Sequence, residues 1–137
     1  MQKISTTRYG YSVKLSLNFP EAIDAVKKAF AIEGFGVLSE IDVQEKMKEK
    51  LGKDMGEYII LGMCNPTLAF QALELEREIG LLLPCNVIVY RNGDETVISA
   101  QQPKLMVTVT ENNELEKVAN EADTRIVKVL EMLSGSK

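Results

Sequence analysis

The residues best suited to chemistry are two cysteines in similar surroundings. Cys64 lies in "MCNP" at 63–66, Cys85 lies in "LPCN" at 83–86, and the 137-residue chain has no other cysteine. Each cysteine is followed by an asparagine, and each has a proline within two residues. A thiolate acts as a nucleophile, a redox centre or a metal ligand. The repeated setting makes Cys64 and Cys85 the first candidates for a catalytic or binding site.

Other site chemistries are excluded more directly. The chain has no histidine, which excludes Ser/His and Cys/His catalysis and any histidine-ligated metal. A zinc site would need both cysteines together with carboxylates such as Glu40 or Asp42, and helix capping explains those carboxylates more simply. The sequence contains neither G-x-x-x-x-G-K-[ST] nor G-x-G-x-x-G, so no nucleotide loop is readable. We therefore expect no metal and no cofactor.

Composition and charge restrict the protein class. The net charge is −4, and lysines are scattered among acidic residues, which argues against binding to nucleic acid because phosphates are held by clustered Lys and Arg. No stretch approaches the ~18 apolar residues of a membrane span, and the N-terminus lacks a signal-peptide apolar region. The length fits one domain over residues 1–137. We expect a cytoplasmic protein, because two cysteines do not make a disulfide scaffold.

The elements that must position the cysteines alternate between strand and helix. The stretch 57–64 is apolar on both faces, which is typical of a central strand. Amphipathic helices with one polar face indicate helices packed on one side of a sheet, and the fold class is a two-layer α/β sandwich. The hydrophobic patterns predict strands over 9–17, 36–41, 57–64, 85–90, 96–100 and 104–109, and helices from Pro20 to about Gly34, over 43–51, over 66–79 and over about 113–133.

Local signals refine these elements. The pair Asn92-Gly93 predicts a hairpin between strands 85–90 and 96–100. Asp42 and Asn113 are predicted to cap the helices that follow them. The predicted buried stripes are Val43, Met47 and Leu51 on the second helix, and Leu115, Val118, Ala122, Ile126, Val129 and Leu133 on the last helix.

Helix signals explain part of both motifs. Asn65 and Pro66 are typical N-cap and first-turn residues, so Cys64 directly precedes a helix that begins at a strand end. The positive end of a helix dipole lowers a thiol pKa from about 8.5. The competing interpretation is that Cys64 is a small buried hydrophobe, which is common for free cysteine.

Whether the two thiols meet depends on topology. If helix 66–79 is a crossover between parallel strands, roughly 20 Å of helix separates Cys64 from Cys85, at about 1.5 Å per residue. If the flanking strands are antiparallel, both thiols lie at one end of the sheet. A disulfide needs Cα atoms within about 7 Å. The residue pattern leaves both cases open.

Three stretches carry a family resemblance: "GFGVLSEIDVQEKMKEKLG", "LGMCNPTLAFQAL" and "IGLLLPCNVIVY", in that order. Over about positions 10–110 the chain resembles the bacterial and archaeal family called domain of unknown function 302, to which no activity is assigned. The resemblance implies an α+β fold with a β-α-β(4)-α core, extra helices, a largely antiparallel sheet and a homodimer. It therefore favours Cys64 and Cys85 approaching the same side of the sheet. Gln102 in "AQQP" departs from the acidic residue that members tend to show there.

Three functions remain open at this point. The first is a homodimeric module that binds a small ligand or a partner. The second is a thiol-dependent redox enzyme or sensor that uses Cys64 and Cys85, and the third is a purely structural or interaction domain. The predicted binding residues are Cys64, Asn65, Pro66, Cys85, Asn86 and Glu40.

Overall fold

The computed structural model describes residues 4–135. In it, the protein forms a six-stranded antiparallel sheet with helices. The strands are β1 (Ser5–Thr6), β2 (Gly10–Leu15), β3 (Gly36–Asp42), β4 (Tyr58–Cys64), β5 (Cys85–Asn92) and β6 (Glu95–Gln101). The helices are α1 (Phe19–Ile32), α2 (Val43–Leu51), α3 (Pro66–Leu75), α4 (Leu105–Thr110) and α5 (Glu116–Ser134). Short 3₁₀ helices cover Arg77–Leu82 and Asn113–Leu115.

The strand order is β1-β2-β6-β5-β4-β3, and every neighbouring pair is antiparallel. The predicted α+β class and its β-α-β(4)-α core are confirmed: β2, α1, the four strands β3 to β6, and α5 follow in that order. β1 extends the sheet edge beside β2, and α2, α3 and α4 are the extra helices. Because β4 lies between β3 and β5, the prediction of a central strand at 57–64 is also confirmed.

Two groups of buried side chains form the core. The sheet cluster joins one face of the sheet to α1 and to the C-terminal half of α5, with residues such as Val13, Phe30, Leu61, Val89 and Leu130. The helical cluster joins α3, the 3₁₀ helix Arg77–Leu82, α4 and the N-terminal half of α5, and comprises Leu68, Ala72, Ile79, Met106, Leu115, Val118, Ala119 and Ala122.

Several local predictions are confirmed because cap and turn chemistry act within a few residues. The Asn65 side chain accepts a hydrogen bond from the Leu68 amide at 3.2 Å, with Pro66 as the first residue of α3. The β5–β6 hairpin turns directly after Asn92, where Gly93 has a φ of +65°. The stripe predicted for the last helix is buried at each of its positions, which are Leu115, Val118, Ala122, Ile126, Val129 and Leu133.

The predicted strand over 104–109 is wrong, because Leu105–Thr110 is the helix α4. The consecutive β-branched residues in "KLMVTV" favour a strand locally, but tertiary packing decides between strand and helix in short segments. Met106 is buried in the helical cluster, and the Thr108 hydroxyl donates to the Lys104 carbonyl one turn earlier at 3.4 Å. The segment therefore closes the helical layer and adds no strand.

Three helix details also differ from prediction. Helix α3 ends at Leu75 rather than near 79, since Glu76 is extended and a 3₁₀ helix follows. No residue of α2 is fully buried: in its predicted inner stripe, Val43 is half-buried, and Met47 and Leu51 are exposed. The cap predicted for the last helix at Asn113 is wrong, because α5 begins at Glu116 after Leu115 without a side-chain cap. Asn112 caps the preceding 3₁₀ helix, where its side chain accepts from the Glu114 amide at 3.0 Å.

Candidate functional site

The antiparallel register brings the two cysteine motifs to one end of the sheet. Cys64 is the last residue of β4 and Cys85 is the first residue of β5, and Met63 is paired with Cys85. Helix α3 and the following 3₁₀ helix leave the sheet after Cys64 and return to the same end. Of the two topologies left open by the sequence, the antiparallel one is present. The two cysteines are not joined by a disulfide.

An apolar cavity of about 330 Å³ lies at this end of the sheet. Its wall combines the sheet end with α3, α4 and the first half of α5, and its surface is almost entirely carbon and sulfur. The lining residues are Phe35, Leu38, Met63, Cys64, Asn65, Leu68, Ala69, Ala72, Leu73, Gly80, Leu83, Pro84, Cys85, Met106, Val118 and Ala122. Its volume falls in the range of small-molecule sites, about 300–1,000 Å³.

Three of the predicted binding residues reach this cavity: Cys64, Asn65 and Cys85. Pro66, Asn86 and Glu40 are not among its lining residues. The Glu40 carboxylate forms an ion pair with Lys27 on α1 at 2.9 Å. Asn86 is paired with Gly62 and so faces the other side of the sheet, where it lines a separate groove.

The polar atoms of Asn65 are engaged by the fold. Its Oδ1 caps α3, and its Nδ2 donates to the Glu33 carbonyl at the end of α1 at 3.4 Å. Arg125 donates to the same carbonyl at 3.2 Å. Gly34, with a φ of +85°, fits against this amide, because a Cβ there would lie 2.9 Å from Asn65 Nδ2. Asn65 therefore joins α1 to α3 and leaves the cavity wall apolar.

Pro84 closes the wall through contact with a glycine in β4. A Cβ on Gly62 would lie 2.8 Å from Cγ of Pro84 and would collide with Oγ of Ser39. The Leu83–Pro84 peptide bond is cis. The absence of a side chain at Gly62 therefore lets the chain approach the sheet closely, immediately before Cys85.

Burial controls the electrostatics of both thiols. It raises the pKa of Cys64 above its ordinary value of 9.0, so the predicted lowering by the α3 N-terminus is wrong. For Cys85, burial first and then the neighbouring Cys64 charge raise the pKa to about 11. Desolvation disfavours the charged thiolate relative to the neutral thiol. Both thiols are therefore neutral near neutral pH.

Several cavity residues were not predicted as site residues. Val118 and Ala122 were predicted to be buried, but a periodic stripe does not reveal whether the core beside it is filled. Met106 was missed because its segment was assigned to a strand. The two alanines on one side of α3, Ala69 and Ala72, were a usable signal for a cavity, since small side chains leave space beside a helix.

The fold and cavity define a small α+β protein in which a helical layer encloses an apolar site at one end of an antiparallel sheet. The chain belongs to the family of the domain of unknown function DUF302, whose profile matches residues 11–133. It is also similar to a crystal structure of an uncharacterised conserved DUF302 protein from Bacillus stearothermophilus, with 31% identity and a TM-score of 0.84. That match covers 91% of this chain and 98% of the other.

Two further findings concern the class of protein. The search of curated proteins gave no match. Among residues 4–135, every helix is too short or too polar to cross a membrane.

Proposed function

We propose that the protein binds a small, uncharged, apolar ligand in the cavity beside Cys64 and Cys85. The single observation that carries the proposal is the cavity itself, whose volume is about 330 Å³ and whose lining contains no charged residue. A charged ligand would lose its hydration there without gaining a partner. An apolar ligand would gain from leaving water, at about 25 cal/mol for each Å² of surface buried.

The roles of the motif residues support binding over a purely structural role. Asn65 and Pro66 start α3, and Pro84 packs on Gly62, so folding explains these three residues. Folding does not explain why both cysteines line the cavity. Polarizable sulfur adapts well to apolar and aromatic ligands. We assign Cys64 and Cys85 to the ligand-contacting wall.

A thiol-dependent redox function is the second candidate. The observation that favours it is the register, which places Cys85 opposite Met63, the neighbour of Cys64. The raised pKa values of both thiols weigh against it, because the thiolate is the reactive form. Ligand binding therefore ranks first.

The binding experiment uses the uncharged fluorescent probe N-phenyl-1-naphthylamine, whose emission increases in apolar surroundings. We expect saturable binding with one site per chain. Ala72→Leu should weaken binding at least tenfold, because Ala72 is buried on α3 and its larger replacement would occupy the cavity. Ala69→Leu, at a half-buried position on the same wall, tests the same idea with less risk to the core.

The matched control is Gln71→Leu, at an exposed position on the same helix outside the cavity. It should bind the probe as the unmodified protein does. Non-saturable binding, or equal binding by all three variants with unchanged circular dichroism, would refute the proposal. Within this proposed function, we also retain three predictions from the sequence: the protein is a single domain, it is cytoplasmic, and it is a homodimer.

A further inference from the structure

The face of the sheet opposite the helices has an unusual composition. The register places Tyr58, Tyr90, Val97 and Lys14 in one row across β4, β5, β6 and β2. The next row on the same face contains Ile41, Ile60, Ile88, Ser99 and Ser12, from β3 to β2. Antiparallel sheets with one solvated face carry mostly polar residues on that face. Here the centre of the face is apolar, and Lys14 is the one charged residue in the two rows.

The core does not account for these side chains. Neither the sheet cluster nor the helical cluster includes a residue from the two rows. Val97 is 4% exposed and yet belongs to neither cluster. Tyr58 and Tyr90 stack with ring centroids 5.5 Å apart. A groove of about 570 Å³ crosses the face, and its lining residues include Tyr9, Tyr58 and Tyr90 but no charged residue.

We infer that this open face is the contact surface for a second copy of the chain, packed sheet against sheet about a two-fold axis. The inference rests on the composition and size of the open face and does not depend on the cavity ligand. A two-fold interface places each patch against its own copy. Charges near the axis would then face like charges, so an uncharged apolar centre suits self-association. A basic or acidic partner would call for the opposite charge on this face.

The size of the face agrees with a dimer interface. Its five longer strands, about 4.8 Å apart and about six residues long at about 3.4 Å per residue, cover roughly 500 Å². Two copies would bury about 1,000 Å², which is near the lower limit for a specific interface. The partner's side chains would fill the groove beside Tyr58 and Tyr90. We expect a dimer that forms reversibly in the micromolar range.

Sedimentation equilibrium of the full chain, from about 1 µM to about 1 mM, tests the inference. The unmodified protein should show a monomer–dimer equilibrium. Ile88→Lys places a charge at the centre of the open face and should weaken dimerisation at least a hundredfold. Ser99→Lys, at a half-buried position in the same row, should also weaken dimerisation by placing a charge there, and it replaces no apolar residue.

The matched control is Ile32→Lys, an isoleucine that is 70% exposed at the end of α1. It should leave the equilibrium unchanged. A chain that stays monomeric at about 1 mM overturns the inference and leaves the face to another occupant. A dimer that persists in both Ile88→Lys and Ser99→Lys overturns it as well, by placing the interface elsewhere. Probe binding by monomeric Ile88→Lys would show that the cavity proposal stands without the dimer.

Discussion

The sheet cluster and the helical cluster are both apolar, but they are built from different elements. In the sheet cluster, large side chains on alternate strand positions meet two long helices, as Leu61 and Phe30 do. In the helical cluster, the elements are short or irregular, and three of the eight residues are alanines. Small side chains on short elements leave room for a cavity. The binding capacity of this fold therefore lies in its least regular part.

Truncation of a large side chain should give the largest difference between the two clusters in the free energy of unfolding. Leu61→Ala, at a position that is 0% exposed in the sheet centre, should lower the free energy of unfolding by about 3–5 kcal/mol, because a new void opens among large neighbours. Leu73→Ala, on the cavity wall of α3, should cost less than about 2 kcal/mol, because the side chain already borders empty space. Urea denaturation measures both. Equal losses would contradict the distinction between a packed and a hollow region.

The junction between sheet and cavity wall should be the next most sensitive point. Gly62→Ala should cost about 1–3 kcal/mol, because its Cβ would force Ser39 and Pro84 away from β4. Gly36→Ala is the matched control in the neighbouring strand β3, where an added Cβ has no atom within 4 Å. Its stability in urea should stay within about 0.5 kcal/mol of the unmodified protein. If Gly36→Ala lost as much as Gly62→Ala, the cost would come from the backbone rather than from Pro84.

The same contrast explains what could be predicted from sequence. Caps and turns depend on residues three or four apart, so Asn65, Asp42 and the hairpin after Asn92 were predicted correctly. The α5 stripe was also predicted, since an amphipathic helix has a strong period. Segment 104–109 failed because its β-branched residues favour a strand locally, while burial of Met106 in the helical cluster decides the outcome.

Part of the candidate site was predictable for the same reason. The cysteines, Asn65 and Pro66 carry short motifs, and the antiparallel pairing that joins them came from the family resemblance. The cavity itself could not be predicted from the sequence, because empty space among Ala72, Ala122 and Met106 depends on how three separate helices meet. Asn86 was assigned to the site because it follows Cys85, but strand alternation directs it to the opposite face of the sheet. Glu40 was assigned from the family-like stretch that contains it, but it pairs with Lys27 on α1.

A polar contact that ties α5 to the sheet should have a smaller effect than either packing change. The Tyr11 hydroxyl donates to Asp123 at 2.6 Å, and Lys104 lies 3.7 Å from the same carboxylate. Tyr11→Phe should lower the free energy of unfolding by about 1–2 kcal/mol, because the nearly buried carboxylate loses a donor. Tyr9→Phe is the control, since Tyr9 is exposed and should cost less than about 0.5 kcal/mol.

The pH dependence of this contact has a definite sign. Burial, and then the hydrogen bond to Asp123, raise the pKa of Tyr11 from 10.0 to about 12. The folded state therefore favours the neutral phenol, and its contribution is complete below pH 10 and is lost as the pH rises towards 12. The stability difference between the unmodified protein and Tyr11→Phe should shrink over that interval. A difference that stays constant up to pH 12 would contradict the assigned hydrogen bond.

The most local effect, on the ionisation of a single thiol, tests whether the cavity wall is as apolar as its lining indicates. With a pKa of about 11 in place of 9.0, Cys85 should react with iodoacetamide on the order of a hundredfold more slowly in the folded state than in urea at pH 8, because only the thiolate reacts. Cys64 should react faster than Cys85, since the burial that raises its pKa is less severe. Cys64→Ser should speed Cys85 only slightly, because burial outweighs the charge of Cys64. A folded Cys85 that reacts as fast as in urea would mean that water reaches the sulfur, and a wall open to water at that point would remove the main reason to expect an apolar ligand.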